Sequence, residues 1–97
     1  MKDAAGLLGL CTRARKIATG ETIYRKFQTH QVHLLILAED IGDNSKKKLT
    51  DKCNFYHVDY VYMDASVMNM AIGDCNRKAI AILDKGFAKQ IIACLKG

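Results

Sequence analysis

Two rhythms of apolar and polar residues alternate along this chain. Residues Leu34–Ala38 form an unbroken apolar run of strand length, the pattern of a central strand covered on both faces. After a polar loop at 39–44, Leu49, Cys53 and Tyr56 recur at i, i+4 and i+7, which predicts a helix over 45–56 with one inward stripe. Toward the N-terminus, Asp3 is placed to cap a first helix whose inward face is Leu7, Cys11 and Ala14, with Leu8 and Leu10 beside it. Gly6 and Gly9 weaken that helix by roughly 1 kcal/mol each against Ala, so something should pack close to it. Residues 15–18 read as a short strand, and Thr19-Gly20 opens a second helix in which Ile23 and Phe27 share a face. Beyond the third helix, 60–63 is a strand and Ser66 caps a short helix ending near Gly73. Residues 79–83 form a fourth strand, and Asp84 precedes a last helix with Phe87, Ile91 and Leu95 on its apolar face.

Strands and helices alternate from end to end. That order predicts an α/β fold, a three-layer α/β/α sandwich around a small four-stranded mixed sheet. The chain contains no proline and no linker-like or repeated stretch, and 97 residues give room for one modest core. A single domain over 1–97 is expected. No apolar run approaches the length of a membrane span, and the first residues lack the pattern of a signal peptide. The expected location is the cytoplasm, without membrane association.

Composition adds two constraints. Cys11, Cys53, Cys75 and Cys94 show no C-x-x-C knuckle and no repeating Cys/His pair, so neither a zinc site nor any other metal or cofactor is expected. Cys11, Cys53 and Cys94 fall at apolar helical positions and read as small buried hydrophobes. The formal net charge is +5, and its distribution says more than its size. Arg13, Arg15, Lys16, Arg25 and Lys26 crowd the first part of the chain, and Lys46, Lys47, Lys48 and Lys52 form a second group. Segregated cations of this kind suit a polyanion, most simply nucleic acid.

Candidate catalytic chemistry is sparse. There is no G-x-S-x-G elbow, P-loop or G-x-G-x-x-G turn. Glu39 and Asp40 follow a buried strand, where α/β sheets place their ligands, yet neighbours on an extended strand point to opposite faces. His30, His33 and His57 have no nucleophile beside them by local spacing. The pattern points away from an enzyme.

The nucleic-acid features are better. Thr19-Gly20-Glu21 stands at a predicted helix start directly after the basic run; glycine there permits close approach, and Glu21 could accept hydrogen bonds from a base edge such as guanine. An ordinary helix cap explains the same residues equally well. Lys46, Lys47 and Lys48 fall in the first turn of the predicted third helix, the end where cations oppose the macrodipole, and a bound anion would account for them.

The run Leu7-Leu8-Gly9-Leu10-Cys11-Thr12-Arg13-Ala14-Arg15-Lys16, then Thr19-Gly20-Glu21, then Leu34-Leu35-Ile36-Leu37-Ala38-Glu39-Asp40, resembles the ribosomal L7Ae kink-turn-binding family, and specifically its bacterial YlxQ-like branch. Asn44-Ser45-Lys46-Lys47-Lys48, Ile72-Gly73 and Asp84-Lys85-Gly86-Phe87-Ala88 extend the match. The resemblance implies an α/β/α sandwich that binds RNA, in many relatives a kink-turn. It implies that Thr19, Gly20 and Glu21 occupy a G-x-N-E-type motif that reads sheared G·A pairs. Met63, Asp64, Ala65 and Ser66, with Val67, would occupy a second loop covering a flipped-out nucleotide. Four positions depart from the pattern: Gly20 replaces a side-chain amide, Tyr24 replaces a lysine, and Met68-Asn69 replaces Leu-Gly.

The reading is therefore a non-catalytic, monomeric, cytoplasmic protein that binds structured RNA, with ribosomal and kink-turn RNA as candidates. The expected interface is Arg13, Arg15, Lys16, Thr19, Gly20, Glu21, Arg25, Lys46, Lys47, Met63, Asp64, Ala65 and Ser66. The alternatives are an adaptor docking an acidic protein through its basic face, and a small enzyme using Glu39 or Asp40.

Overall fold

A computed structural model describes residues 4–73 and 77–96. Its elements alternate: α1 (Ala4–Arg13), β1 (Ile17–Thr19), α2 (Thr22–Gln28), β2 (Leu34–Ala38), α3 (Asp43–Tyr56), β3 (Asp59–Met63), α4 (Ala65–Ile72), β4 (Ala79–Ile82) and α5 (Lys85–Lys96). The sheet is ordered β1-β4-β2-β3. β4 runs antiparallel to both of its neighbours, β1 and β2, while β2 and β3 are parallel. Strands β1, β2 and β3 therefore end at one edge of the sheet, the carboxyl edge, and β4 begins there.

β2 is buried along its whole length, as its apolar run predicts. Its alternate residues divide the core. Leu34, Ile36 and Ala38 join Ile80, Ile82 and Met63 under Leu7, Leu8 and Cys11 of α1, Met68 of α4, and Ala88 and Ile91 of α5. Leu35 and Leu37 join Ala18 and Ala81 beneath Ile23 and Phe27 of α2 and Leu49 and Cys53 of α3. Three helices cover one face and two the other, which is the expected α/β/α sandwich with a mixed four-stranded sheet. Gly9 shows what packs against α1: a Cβ there would lie 3.4 Å from the Ala71 carbonyl oxygen of α4.

Several boundaries differ from the sequence reading, each for a local reason. β1 starts at Ile17 rather than Arg15, because Arg15 takes φ 58 in a left-handed turn that ends α1. There the Arg15 amide donates to the Thr12 carbonyl and the Lys16 amide to the Cys11 carbonyl, each at 3.0 Å, the double bond of a Schellman ending. His30 closes α2 in the same way at φ 58, and His57 is the left-handed cap of α3. The same turn removes Ala14 from the helix and leaves it exposed, so it does not extend the inward face.

Helix α2 opens at Thr22, not at Thr19-Gly20: Thr19 is the last residue of β1, and Gly20 forms a turn at φ 62. Helix α3 opens at Asp43, a pair of residues before the expected start. Asp64, not Ser66, caps α4, its Oδ1 accepting from the Ser66 and Val67 amides at 2.9 and 3.2 Å. At the C-terminus, Ile91 is buried but Leu95 is 40% exposed and Cys94 is exposed, so the inward face of α5 runs from Phe87 and Ala88 to Ile91 and Ile92 and stops there. The proposed Asp3 cap and Cys75 lie outside the described residues.

Candidate nucleic-acid interface

The carboxyl edge of the sheet gathers segments that are far apart in sequence. In strand order it carries Gly20-Glu21 after β1, Arg77-Lys78 before β4, Glu39-Asp40 after β2 and Asp64 after β3. Three strand spacings of about 4.8 Å put the Gly20 and Asp64 turns about 14 Å apart. The start of α3 follows β2 over the same edge, bringing Lys46 and Lys47 with it. Thr19, Gly20, Glu21, Lys46, Lys47, Met63, Asp64, Ala65 and Ser66 thus share one end of the molecule.

Not all of them offer a side chain. Met63 is buried in the core, and Ala65 is half-buried against it. Asp64 caps α4, which begins at Ala65, so the second loop of the family pattern is reduced to a tight corner. Ser66 and Val67 are exposed in that segment, as is Asp64 itself. Glu21 stands at the N-cap position of α2 yet makes no side-chain capping bond, and it is exposed. Glu21 therefore offers α2 no hydrogen-bonded cap, although its charge at that position complements the helix dipole.

The basic run lies elsewhere. Lys16 precedes β1, and its carbonyl accepts from the Leu83 amide just after β4 ends. Arg13, Arg15 and Lys16 are accordingly at the opposite, amino edge of the sheet, separated from Gly20 by the length of β1, about 10 Å for its three residues. Arg25 is exposed one turn along α2. The expected interface thus divides into two surfaces, with Glu21 and the α3 lysines on one and Arg13, Arg15 and Lys16 on the other.

The α3 lysines also need a new account. Asp43 occupies the first turn of α3 and complements its dipole, while Lys47 and Lys48 fall beyond that turn. The dipole argument for a bound anion does not survive. What remains is position: Lys46 is exposed and its ammonium stands over the Tyr62 ring, 5.4 Å from the centroid.

Between the α2 turn and the start of α3 lies a groove of roughly 310 Å³, lined by Gly20, Glu21, Ile23, Tyr24, Ile41, Ser45, Leu49 and, from the β4 side, Arg77, Lys78 and Ala79. Arg77 and Lys78 were not singled out from sequence, although they are a basic pair directly before a predicted strand. Lys78 binds Asp40 at 2.8 Å, and this contact holds the Asp40 carboxyl below its usual range. Asp40 is thus a persistent carboxylate in an exposed ion pair, a poor candidate for proton transfer. Among the described residues, no three His, Cys, Asp or Glu side chains are arranged to hold a metal ion, and no helix is long and apolar enough to cross a membrane.

Similarity to known proteins agrees with this architecture. The chain is 40% identical over 91 residues to the RNA-binding protein YlxQ of Bacillus subtilis (strain 168), covering 92% of this chain and 91% of that protein. It is 34% identical over 99 residues to the RNA-binding protein YlxQ of Enterococcus faecium, covering 99% and 94%. Among solved structures, a protein with unknown function from Bacillus halodurans C matches with a TM-score of 0.92 at 36% identity, over 97% of each chain. The Giardia lamblia 15.5kD RNA binding protein shares the fold at a TM-score of 0.76 and 17% identity, covering 95% of this chain and 83% of that one. The sequence pattern of the Ribosomal protein L7Ae/L30e/S12e/Gadd45 family matches residues 2–92, and the chain belongs to that family.

Proposed function

We propose that this protein binds structured RNA through the carboxyl edge of its sheet. The observation that carries the reading is the convergence there of Glu21, whose exposed side chain makes no capping hydrogen bond, with exposed Lys46 and Lys47. The relatives named RNA-binding protein YlxQ support the same function. In this reading phosphates are held by the lysines, while Glu21 accepts from a base edge. Arg13, Arg15 and Lys16 form a separate basic surface that adds long-range attraction rather than direct contacts.

The finer reading is a monomeric, non-catalytic cytoplasmic protein, acting as one domain, whose target is ribosomal RNA containing a kink-turn or a similarly bent G·A element. The test is a gel-shift titration of the purified protein with a kink-turn RNA and with a fully paired duplex of equal length. Selective retention of the kink-turn RNA, lost on Glu21→Ala, is the expected result. Equal affinity for both RNAs would leave RNA binding but remove the kink-turn preference. Failure to bind either would overturn the function.

One observation favours a second reading, that of a protein-interaction adaptor. Phe55 is 75% exposed at the far end of α3, beside a groove of roughly 540 Å³ lined by Tyr24, Lys48, Asp51, Lys52 and Tyr56. Tyr56 packs edge-on against Phe55 and stacks on Phe27, so the exposed ring is held in place. A Phe55→Ser variant with unchanged RNA affinity but lost co-purifying protein would support this second role.

A further inference from the structure

We infer that Tyr60 and Tyr62 form a stacking platform for an unpaired nucleotide of the RNA, whose phosphate is taken by Lys46. The inference rests on the RNA-binding reading above and narrows its target to structured RNA with a single-stranded extension.

β3 is an edge strand, hydrogen-bonded to β2 alone. In its parallel register Tyr60 lies beside Leu35 and Tyr62 beside Leu37, so both tyrosines point to the face that α2 and α3 cover. The two leucines are fully buried, whereas Tyr60 and Tyr62 are 38% and 40% exposed, because the outermost strand lies at the rim of that cover. The rings stand 6.1 Å apart at 87°, edge to face, so each steadies the other. An edge strand facing water is ordinarily guarded by lysine, proline or a covering segment. β3 reads Asp-Tyr-Val-Tyr-Met and carries neither lysine nor proline. Its cation comes from α3 instead: Lys46 Nζ stands 5.4 Å from the centroid of the Tyr62 ring.

A nucleotide fits this patch. Its base supplies a π-face for a tyrosine ring, and its phosphate supplies an anion for the ammonium beside that ring. Charge sets the direction. Asp59 and Asp64 bracket the two tyrosines along the chain, so a phosphate finds its cation on the α3 side, at Lys46, with Lys47 next in sequence. These lysines belong to the carboxyl-edge interface, which the platform continues round the rim of the sheet. The segment that would cover a flipped-out nucleotide lies elsewhere: it turns at Asp64 into α4, on the opposite face, where Met63 and Ala65 join the core beneath α1. A peptide strand added to β3 would bind mainly through the outer row of backbone groups and would leave the two rings and Lys46 without a role. Every base has a π-face, so the platform selects an unpaired nucleotide rather than a sequence.

The probe is a short kink-turn RNA carrying a uridine tail at each strand end in turn. It is compared with the tailless RNA and with an abasic tail, which keeps the phosphates but lacks the bases. For the wild-type protein, a uridine tail at one end should tighten binding about tenfold, the size of one good base–aromatic stack, and the abasic tail should add far less. Tyr60→Ala combined with Tyr62→Ala should lose that gain while keeping the affinity for tailless RNA. Tyr60→Phe with Tyr62→Phe retains both rings and should retain the gain. In Lys46→Gln the gain should be smaller and less dependent on salt. A photoreactive thiouridine in the tail should crosslink to residues 60–62 of the wild-type protein, a readout that needs no variant to fold. Crosslinks confined to another surface, an equal gain from the abasic tail, a gain that survives in the alanine pair, or no gain at any strand end would overturn the platform. Tailed and tailless RNA weakened equally by the alanine pair would mark a structural role and overturn it too. So would a dimer of the free protein, read by sedimentation, that the alanine pair dissolves. Failure of the wild-type protein to bind even tailless RNA would instead sink the RNA-binding reading, and the platform with it.

Discussion

Substitution of Gly20 separates what the backbone requires from what the interface requires. Gly20 sits at φ 62, in the left-handed region. An L-residue held there loses about 1–2 kcal/mol to the contact between its Cβ and the following carbonyl. Alanine recovers about 0.4–1 kcal/mol because it restricts the unfolded chain. The would-be contact with Arg77 Nη1 at 3.2 Å adds little, since the end of an exposed arginine side chain can move aside. Gly20→Ala should therefore destabilise the fold by about 1 kcal/mol, or about 4–8 °C in Tm for a domain of this size. Asparagine enters left-handed turns several times more readily than most residues, so Gly20→Asn should cost less, about 0.5 kcal/mol or under. Valine, β-branched, should cost most. The measurement is urea unfolding followed by far-UV circular dichroism, with an unchanged m-value required for comparison. Alanine as stable as asparagine, or all three variants within about 0.3 kcal/mol of wild type, would refute the argument from backbone conformation. The same reasoning disqualifies Gly20→Val as a probe of RNA contact, because its binding loss would be mixed with a folding loss. Gly20→Asn is the better probe.

Three further expectations follow from the geometry. Replacing Arg13, Arg15 and Lys16 together by Gln should leave the log–log salt slope of RNA binding nearly unchanged, whereas Lys46→Gln or Lys47→Gln should each reduce it by about 0.7–0.9 if that lysine neutralises one phosphate. The reverse pattern in a filter-binding salt series would move the interface to the amino edge. Burial pushes the Cys11 thiol up to about 11, with nearby Asp84 adding to the rise, and burial with nearby Asp59 pushes Cys53 up to about 12. Both thiols are thus neutral in the fold at pH values where the unfolded chain begins to ionise at about 9. Their contribution to stability is complete below pH 9 and declines as pH rises toward 11–12, and iodoacetamide at pH 8 should label exposed Cys94 well before either. Labelling of Cys11 or Cys53 at the rate of Cys94, read by mass spectrometry, would contradict their burial. Asp64→Ala removes the cap of α4 and should cost about 1 kcal/mol, while Asp64→Asn should cost much less; equal melting temperatures for both would show that the cap is not what holds this corner.

The layers of the fold were legible in the sequence wherever apolar spacing alone decided the outcome. The run of β2 could be buried only by covering both of its faces, and the stripes of α2 and α3 supplied one cover. The ends of elements were less legible, because the turns that set them use unusual residues. A left-handed helix end is normally announced by glycine, but here Arg15, His30 and His57 take that conformation. A side chain at such a position carries no sequence signal, so the first strand was expected too early and Ala14 was expected inside. The tail of α5 misled in another way. A helix of 12 residues is about 18 Å long, whereas the four residues of β4 beneath it span about 13 Å. The periodicity continues to Leu95, but the sheet that would bury Leu95 does not.

The site was harder to read because adjacency along the chain is a poor guide to which edge of a sheet a residue reaches. Arg13, Arg15 and Lys16 looked like neighbours of Glu21, yet β1 lies between them and carries the chain from one edge to the other. Arg77 and Lys78 looked remote and are close, for the complementary reason. A short, continuous apolar run identifies β4 as a strand but does not give its direction. Had β4 run parallel to β2, its first residues would stand at the amino edge beside Lys16, and the residues after it would face Gly20. Because it runs antiparallel, the residues before it arrive at the carboxyl edge, where Asn69 fastens the backbone of Arg77 and Gly20 leaves space for its guanidinium. One strand direction therefore decides which cations accompany Glu21.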